Sequence, residues 1–135
     1  REQLMAFMKR ARAVLRAQGS EVIYGTIRSI LRDTVSFLPW AKDDFACVVF
    51  NLRTPHTAAG IERTAAAFRA LTDASISLGG SFFLTYHRHA TVAQVEAAYP
   101  RFREFLQQTR RHDPRELLTS DWYRHYRDAF AASAA

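Results

Sequence analysis

One cysteine, five glycines and four prolines are spread over 135 residues, and no apolar run approaches the roughly 18 residues needed to cross a bilayer. Cys47 has no second thiol to pair with, so an internal disulfide is excluded. It sits in the apolar run Phe45-Ala46-Cys47-Val48-Val49-Phe50, where a buried, inert thiol is expected, in keeping with a cytoplasmic protein. No P-loop and no glycine-rich dinucleotide fingerprint is present, because Gly79-Gly80 precedes an apolar run instead of opening a helix. Metal-ligand spacing is also missing: His87 and His89 lack the third and fourth ligands that zinc needs, so the expected metal complement is none. The basic first twenty residues have no continuous apolar segment, which argues against a signal peptide. With Arg1 in place of an initiating Met, the chain is expected to be a fragment of a longer protein.

What is present is a core-forming sequence. Apolar residues make up 48% and include ten Phe, five Tyr and two Trp, enough for one packed domain. The net charge of +6 comes from arginines dispersed along the chain, a pattern of solvated helix faces more than of a nucleic-acid stripe.

Leu4, Phe7, Met8, Ala11, Val14 and Leu15 recur at helical spacing, and Gly19-Ser20 stops the helix. From Glu21 to Ile30 the residues become β-branched and aromatic, predicting a strand with Tyr24, Thr26 and Arg28 on one face. A second strand is predicted over Phe45 to Arg53, buried on both faces, with Asn51 and Arg53 sharing a side. A helix follows around Ile61, Ala65, Phe68 and Leu71, then a third strand over Ser81 to Arg88. Thr91-Val92-Ala93-Gln94 has the form of a capping box opening another helix. Pro100 begins a further one, anchored by Phe102, Phe105 and Leu106. A short aromatic segment, Asp121 to Tyr126, closes the ordered part. The expected fold is α+β, a mixed, mostly antiparallel sheet of about three strands with helices on one face. Its order is α-β-β-α-β-α-α, with residues 1–128 as one domain and 129–135 as a disordered Ala-rich tail. Strand two, its helix and strand three are candidates for a right-handed crossover.

The densest polar cluster is Thr85-Tyr86-His87-Arg88-His89. His exchanges protons near neutral pH, Tyr donates to a substrate oxygen, and Arg offers a fixed positive fork. Arg28, Asn51 and Arg53 are expected on the same sheet side as this cluster, where either a carboxylate of the fold or a ligand would satisfy the arginines.

The run Gly79-Gly80-Ser81-Phe82-Phe83-Leu84-Thr85-Tyr86-His87-Arg88-His89-Ala90-Thr91, with Ala98-Tyr99-Pro100 and His112-Asp113-Pro114, resembles the C-terminal end of FAD-linked oxidases. The type is that of vanillyl-alcohol oxidase and p-cresol methylhydroxylase, nearest to alditol, sugar-lactone and decaprenylphosphoryl-ribose oxidases. Val22 to Arg28, Val49 to Leu52 and Ser120 to Tyr126 resemble the same region. The resemblance implies a cap domain that lays a sheet over a flavin ring, the FAD being bound mainly by an N-terminal portion of the same protein. It implies oxidation of a carbon bearing a hydroxyl, with a small alcohol or sugar-like substrate, and an isolated segment that is inactive. By position, Tyr86 falls where some relatives place a basic residue, and Phe83 where they place an aromatic near substrate. The implied catalytic set is Tyr86, His87 and Arg88, with Tyr24, Arg28, Asn51, Arg53 and Phe83 binding substrate. The lysine-bearing pattern of those relatives is not kept here. The competing expectation is a stand-alone basic module whose sheet, ferredoxin-like, meets RNA or an acidic partner, although no RNA-reader consensus appears. A third is self-association through an open sheet face.

Overall fold

The helical repeat at the start of the chain forms α1 (Leu4–Ala17), which buries Ala11 and Leu15 and leaves its arginines in solvent. In the computed structural model, which describes residues 2–133, α1 ends as its sequence predicts. Gly19 takes φ +59°, and the amides of Gly19 and Ser20 bond back to Arg16 and Leu15. The β-branched stretch then becomes β1 (Val22–Ile30), paired antiparallel with β2 (Phe45–Leu52). A long helix α2 (Ala58–Ile76) follows, capped by the Thr57 hydroxyl, which accepts from the Gly60 amide at 3.1 Å. Three more helices complete the described chain: α3 (Val92–Ala98), α4 (Phe102–His112) and α5 (Asp121–Ala132).

The fold is α+β, and among the described residues its sheet has two strands. The expected third strand does not form. Residues 81–90 run as an irregular connection whose polar backbone is bonded by side chains, not by a ladder. Tyr99 donates its hydroxyl to the Phe82 carbonyl, Trp122 Nε1 donates to the Leu84 carbonyl at 2.9 Å, and Ser75 Oγ donates to the Ser81 carbonyl at 2.9 Å. Its aromatic residues diverge, Phe82 packing edge-on against Tyr99 and Phe83 against Trp40. Without that strand there is no crossover, and the order is α-β-β-α-α-α-α.

Two apolar clusters hold the elements. One joins Ala11, Leu15 and Leu71 of α1 and α2 to Phe50 and Leu52 of β2. The larger joins Leu84, Val95, Ala98, Tyr99, Phe102, Tyr126 and Phe130, bringing α3, α4 and α5 around the irregular connection. Phe102 is its centre, fully buried and in ring contact with Phe105, Trp122, Tyr126 and Phe130.

Two further expectations are corrected. β2 is half-buried along its whole length instead of buried on both faces, because helices reach only the Phe50 and Leu52 side. The tail expected to be disordered from residue 129 is helical to Ala132. Phe130 lies one turn beyond Tyr126 and is only 3% exposed, and alanine favours helix. Ala134 and Ala135 lie outside the described residues. No helix among the described residues is long and apolar enough to cross a membrane.

Candidate functional site

Chemistry-bearing residues gather in two places. The first is an open depression of about 520 Å³ lined by Tyr86, His87, Arg88, His89 and His125. Its floor is set by α2. His87 lies against Phe68 of that helix with centroids 4.1 Å apart, and His89 stacks on His87 at 4.7 Å and 21°. His125 reaches the same space from α5, and the start of α5 fixes Arg88, whose Nη1 donates to the Asp121 carbonyl at 3.1 Å. The α5 start is itself well defined, since the Ser120 hydroxyl caps it by accepting from the Tyr123 amide.

Burial, reinforced by the nearby His89, lowers the His87 pKa to about 4. The ring is therefore neutral at pH 7, with a buried Nδ1 that has no hydrogen-bond partner. Burial also lowers His89, and the charges of Arg69, Arg88 and His125 act in the same direction against Glu62. The carboxylates around this depression are engaged elsewhere. Asp121 pairs with Arg124 at 2.6 Å, Glu62 with Arg69 at 2.5 Å, and Asp128 with Arg127 at 2.8 Å. Tyr86 stands out from the surface at 76% exposed, its ring 5.0 Å from Phe83.

The second place is the open face of the hairpin. The register sets Tyr24 opposite Asn51, Thr26 opposite Val49 and Arg28 opposite Cys47, so these side chains share one side. The other side carries Phe50, held by α1, and Ile27 opposite Val48. Ile23 is the extra residue of a bulge between Val22 and Tyr24. All of β1 except Ile30 is exposed, and Ile23, Tyr24 and Ile27 are each more than half exposed. Burial raises the Cys47 thiol pKa, opposed by the charge of Arg28.

The predicted site residues thus divide. Tyr86, His87 and Arg88 come together, but in a depression between α2 and α5 and not on the sheet face with Tyr24, Arg28 and Asn51. The reason is the missing third strand, which would have carried them to the sheet. Phe83 touches the first group through the Tyr86 ring and closes an aromatic row with Trp40 and Phe45 at the Ile30 end of the hairpin. Arg53 lies just past β2 and is satisfied within the fold by Glu21 at 3.3 Å. His89 and His125 were missed as site residues. His89 closes the polar cluster without an implied site role, and nothing local marks His125, which arrives through tertiary packing. Among the described residues, no group of three or more His, Cys, Asp or Glu side chains is arranged to hold a metal ion.

Comparison with protein-family models, with curated proteins and with solved structures finds no match to this chain.

Proposed function

We propose that this chain is the substrate-capping portion of an FAD-dependent oxidoreductase acting on a CH–OH group. Its partner is the FAD-binding N-terminal portion of the same protein. The observation that carries the reading is the unfinished hairpin. Helices support this two-stranded sheet on one side only, through Phe50 and Leu52, and it exposes Ile23, Tyr24 and Ile27 along its free strand. Such a surface is stabilised when a further segment covers it. The open face offers Tyr24, Arg28 and Asn51, a phenol, a cation and an amide suited to a hydroxylated substrate beneath a flavin.

These groups fit the outer side of a flavin site and not its anchoring part, since no phosphate-cradling loop is present in the sequence. When bound, FAD would supply hydride acceptance, and the chain would position the alcohol and take up its hydroxyl proton. Asn51 would hydrogen-bond the substrate, and Arg28 would stabilise negative charge that develops beside it. Tyr86, His87 and Arg88 lie off this face, in the depression beside α5. His87, neutral and weakly basic, is less suited to proton removal than its sequence context suggested.

Anaerobic mixing of the full-length protein with alcohols, aldonolactones and hydroxy acids tests this reading. At least one class should bleach the flavin, more slowly in Arg28→Gln and Asn51→Ala. Bleaching that is unchanged in both variants would remove the open face from the site. Salt-sensitive RNA binding by this chain alone would instead favour a basic binding module.

A further inference from the structure

The depression between α2 and α5 holds one fixed positive charge, Arg88, beside N–H and O–H donors, with no carboxylate in its lining. Arg88, His89 and His125 are joined there by the phenol of Tyr86. Among the described residues Arg88 forms no ion pair; its hydrogen bond runs to the Asp121 carbonyl. The nearest acidic side chains, Asp121, Glu62 and Asp128, are each held by an arginine outside the lining. His87 acts as a spacer. Wedged between Phe68 and His89, it fixes the His89 ring while its own Nδ1 stays buried. A water-accessible concavity with an unpaired guanidinium and several donors lowers the free energy of an oxyanion more than that of a neutral ligand.

We propose that this depression is an oxyanion-binding site, taking a carboxylate or phosphate group between Arg88, His89, His125 and the Tyr86 hydroxyl. The proposal goes beyond the flavoenzyme reading and does not depend on it, because every group it uses belongs to this chain. The bound charge would be met by the Arg88 guanidinium, with the two histidines donating from either side. Groups facing His89 are His87 and Arg88 from its own segment, Glu62 and Arg69 from α2, and His125 from α5. A charged His89 is disfavoured first by burial and then by the charges of Arg69, Arg88 and His125, and an anion among them offsets the latter.

The test is a titration of the 135-residue chain with inorganic phosphate and, separately, with lactate, following the histidine ring signals by NMR. Saturable shifts at His89 and His125 are expected with millimolar affinity for at least one of the two. Tighter binding of lactate assigns the carboxylate source, and tighter binding of phosphate assigns the phosphate source. Arg88→Gln and His125→Asn lie on exposed positions, and either is expected to weaken binding about tenfold. Arg12→Gln removes one positive charge from α1 and should leave binding unchanged. No saturable shift with either anion overturns the proposal, as does equal weakening by Arg12→Gln and Arg88→Gln. Because FAD is absent from the assay, failure here leaves the flavoenzyme reading standing, and the reverse also holds.

Discussion

His87 rests on Phe68 with ring centroids 4.1 Å apart, so a histidine that the sequence places in a polar cluster is partly built into an apolar contact. Its lowered pKa follows from that contact first and from the neighbouring His89 second.

The pH dependence has a definite sign. In the unfolded chain His87 has the ordinary pKa of about 6.5, while in the fold it is about 4. Between these values the unfolded state binds more protons, so the stability contributed by neutral His87 is complete above the upper value. It is lost as pH falls toward 4. Melting temperatures measured from pH 7 to pH 4 should therefore fall less in His87→Phe than in the parent chain. Parallel curves for the two proteins would show that His87 does not carry this linkage.

Phe102 should be the least replaceable side chain. It is fully buried and touches four aromatic rings, so Phe102→Ala removes the centre of the larger cluster. The expected loss is about 3–5 kcal/mol, a large part of a domain's total stability. Urea denaturation of the variant checks it; a loss below about 1 kcal/mol, the level of a surface change, would contradict this packing.

The capping box at α3 separates two kinds of loss. Thr91→Ala removes the acceptor for the Gln94 amide and is expected to cost about 1 kcal/mol. Gln94 has a second task, since its Nε2 donates to the Arg69 carbonyl at 2.8 Å and to Asp73 at 2.6 Å, tying α3 to α2. Gln94→Leu should cost more than Thr91→Ala because it removes both the bond its Oε1 accepts from the Thr91 amide at 3.0 Å and the two bonds to α2. The order of the two denaturation midpoints decides the point.

The exposed hairpin predicts behaviour of the isolated chain. Ile23, Tyr24 and Ile27 should drive concentration-dependent self-association, measurable by sedimentation velocity. Ile27→Lys should shift the chain toward monomer with a change in stability within about 0.5 kcal/mol, as for a surface site. A chain that stays monomeric at high concentration would mean that the strand edge is already protected.

Much of this architecture was legible. The switch from a helical repeat at Leu4 to Leu15 to β-branched residues at Val22 to Ile30 marks α1 and β1, and Thr91 with Gln94 marks the start of α3. The aromatic run at Phe82 to Tyr86 misled, because local β-propensity cannot reveal that Tyr99, Trp122 and Ser75 will take over its carbonyls. At α5 the signal was present: Trp122, Tyr126 and Phe130 are four apart and Ser120 precedes them as a cap. The grouping of Tyr86 with His87 and Arg88 was visible as a run of sequence. Its separation from Tyr24 and Asn51, and the arrival of His125, depend on contacts between distant segments.

The proposed capping role requires a flavin held by another part of the same polypeptide. Determination of bound FAD in the purified full-length protein measures this directly, with the 135-residue chain beside it. About one FAD per full-length chain, and none on the shorter one, is the predicted result. A full-length protein that carries no flavin and gains none on incubation with FAD would contradict it.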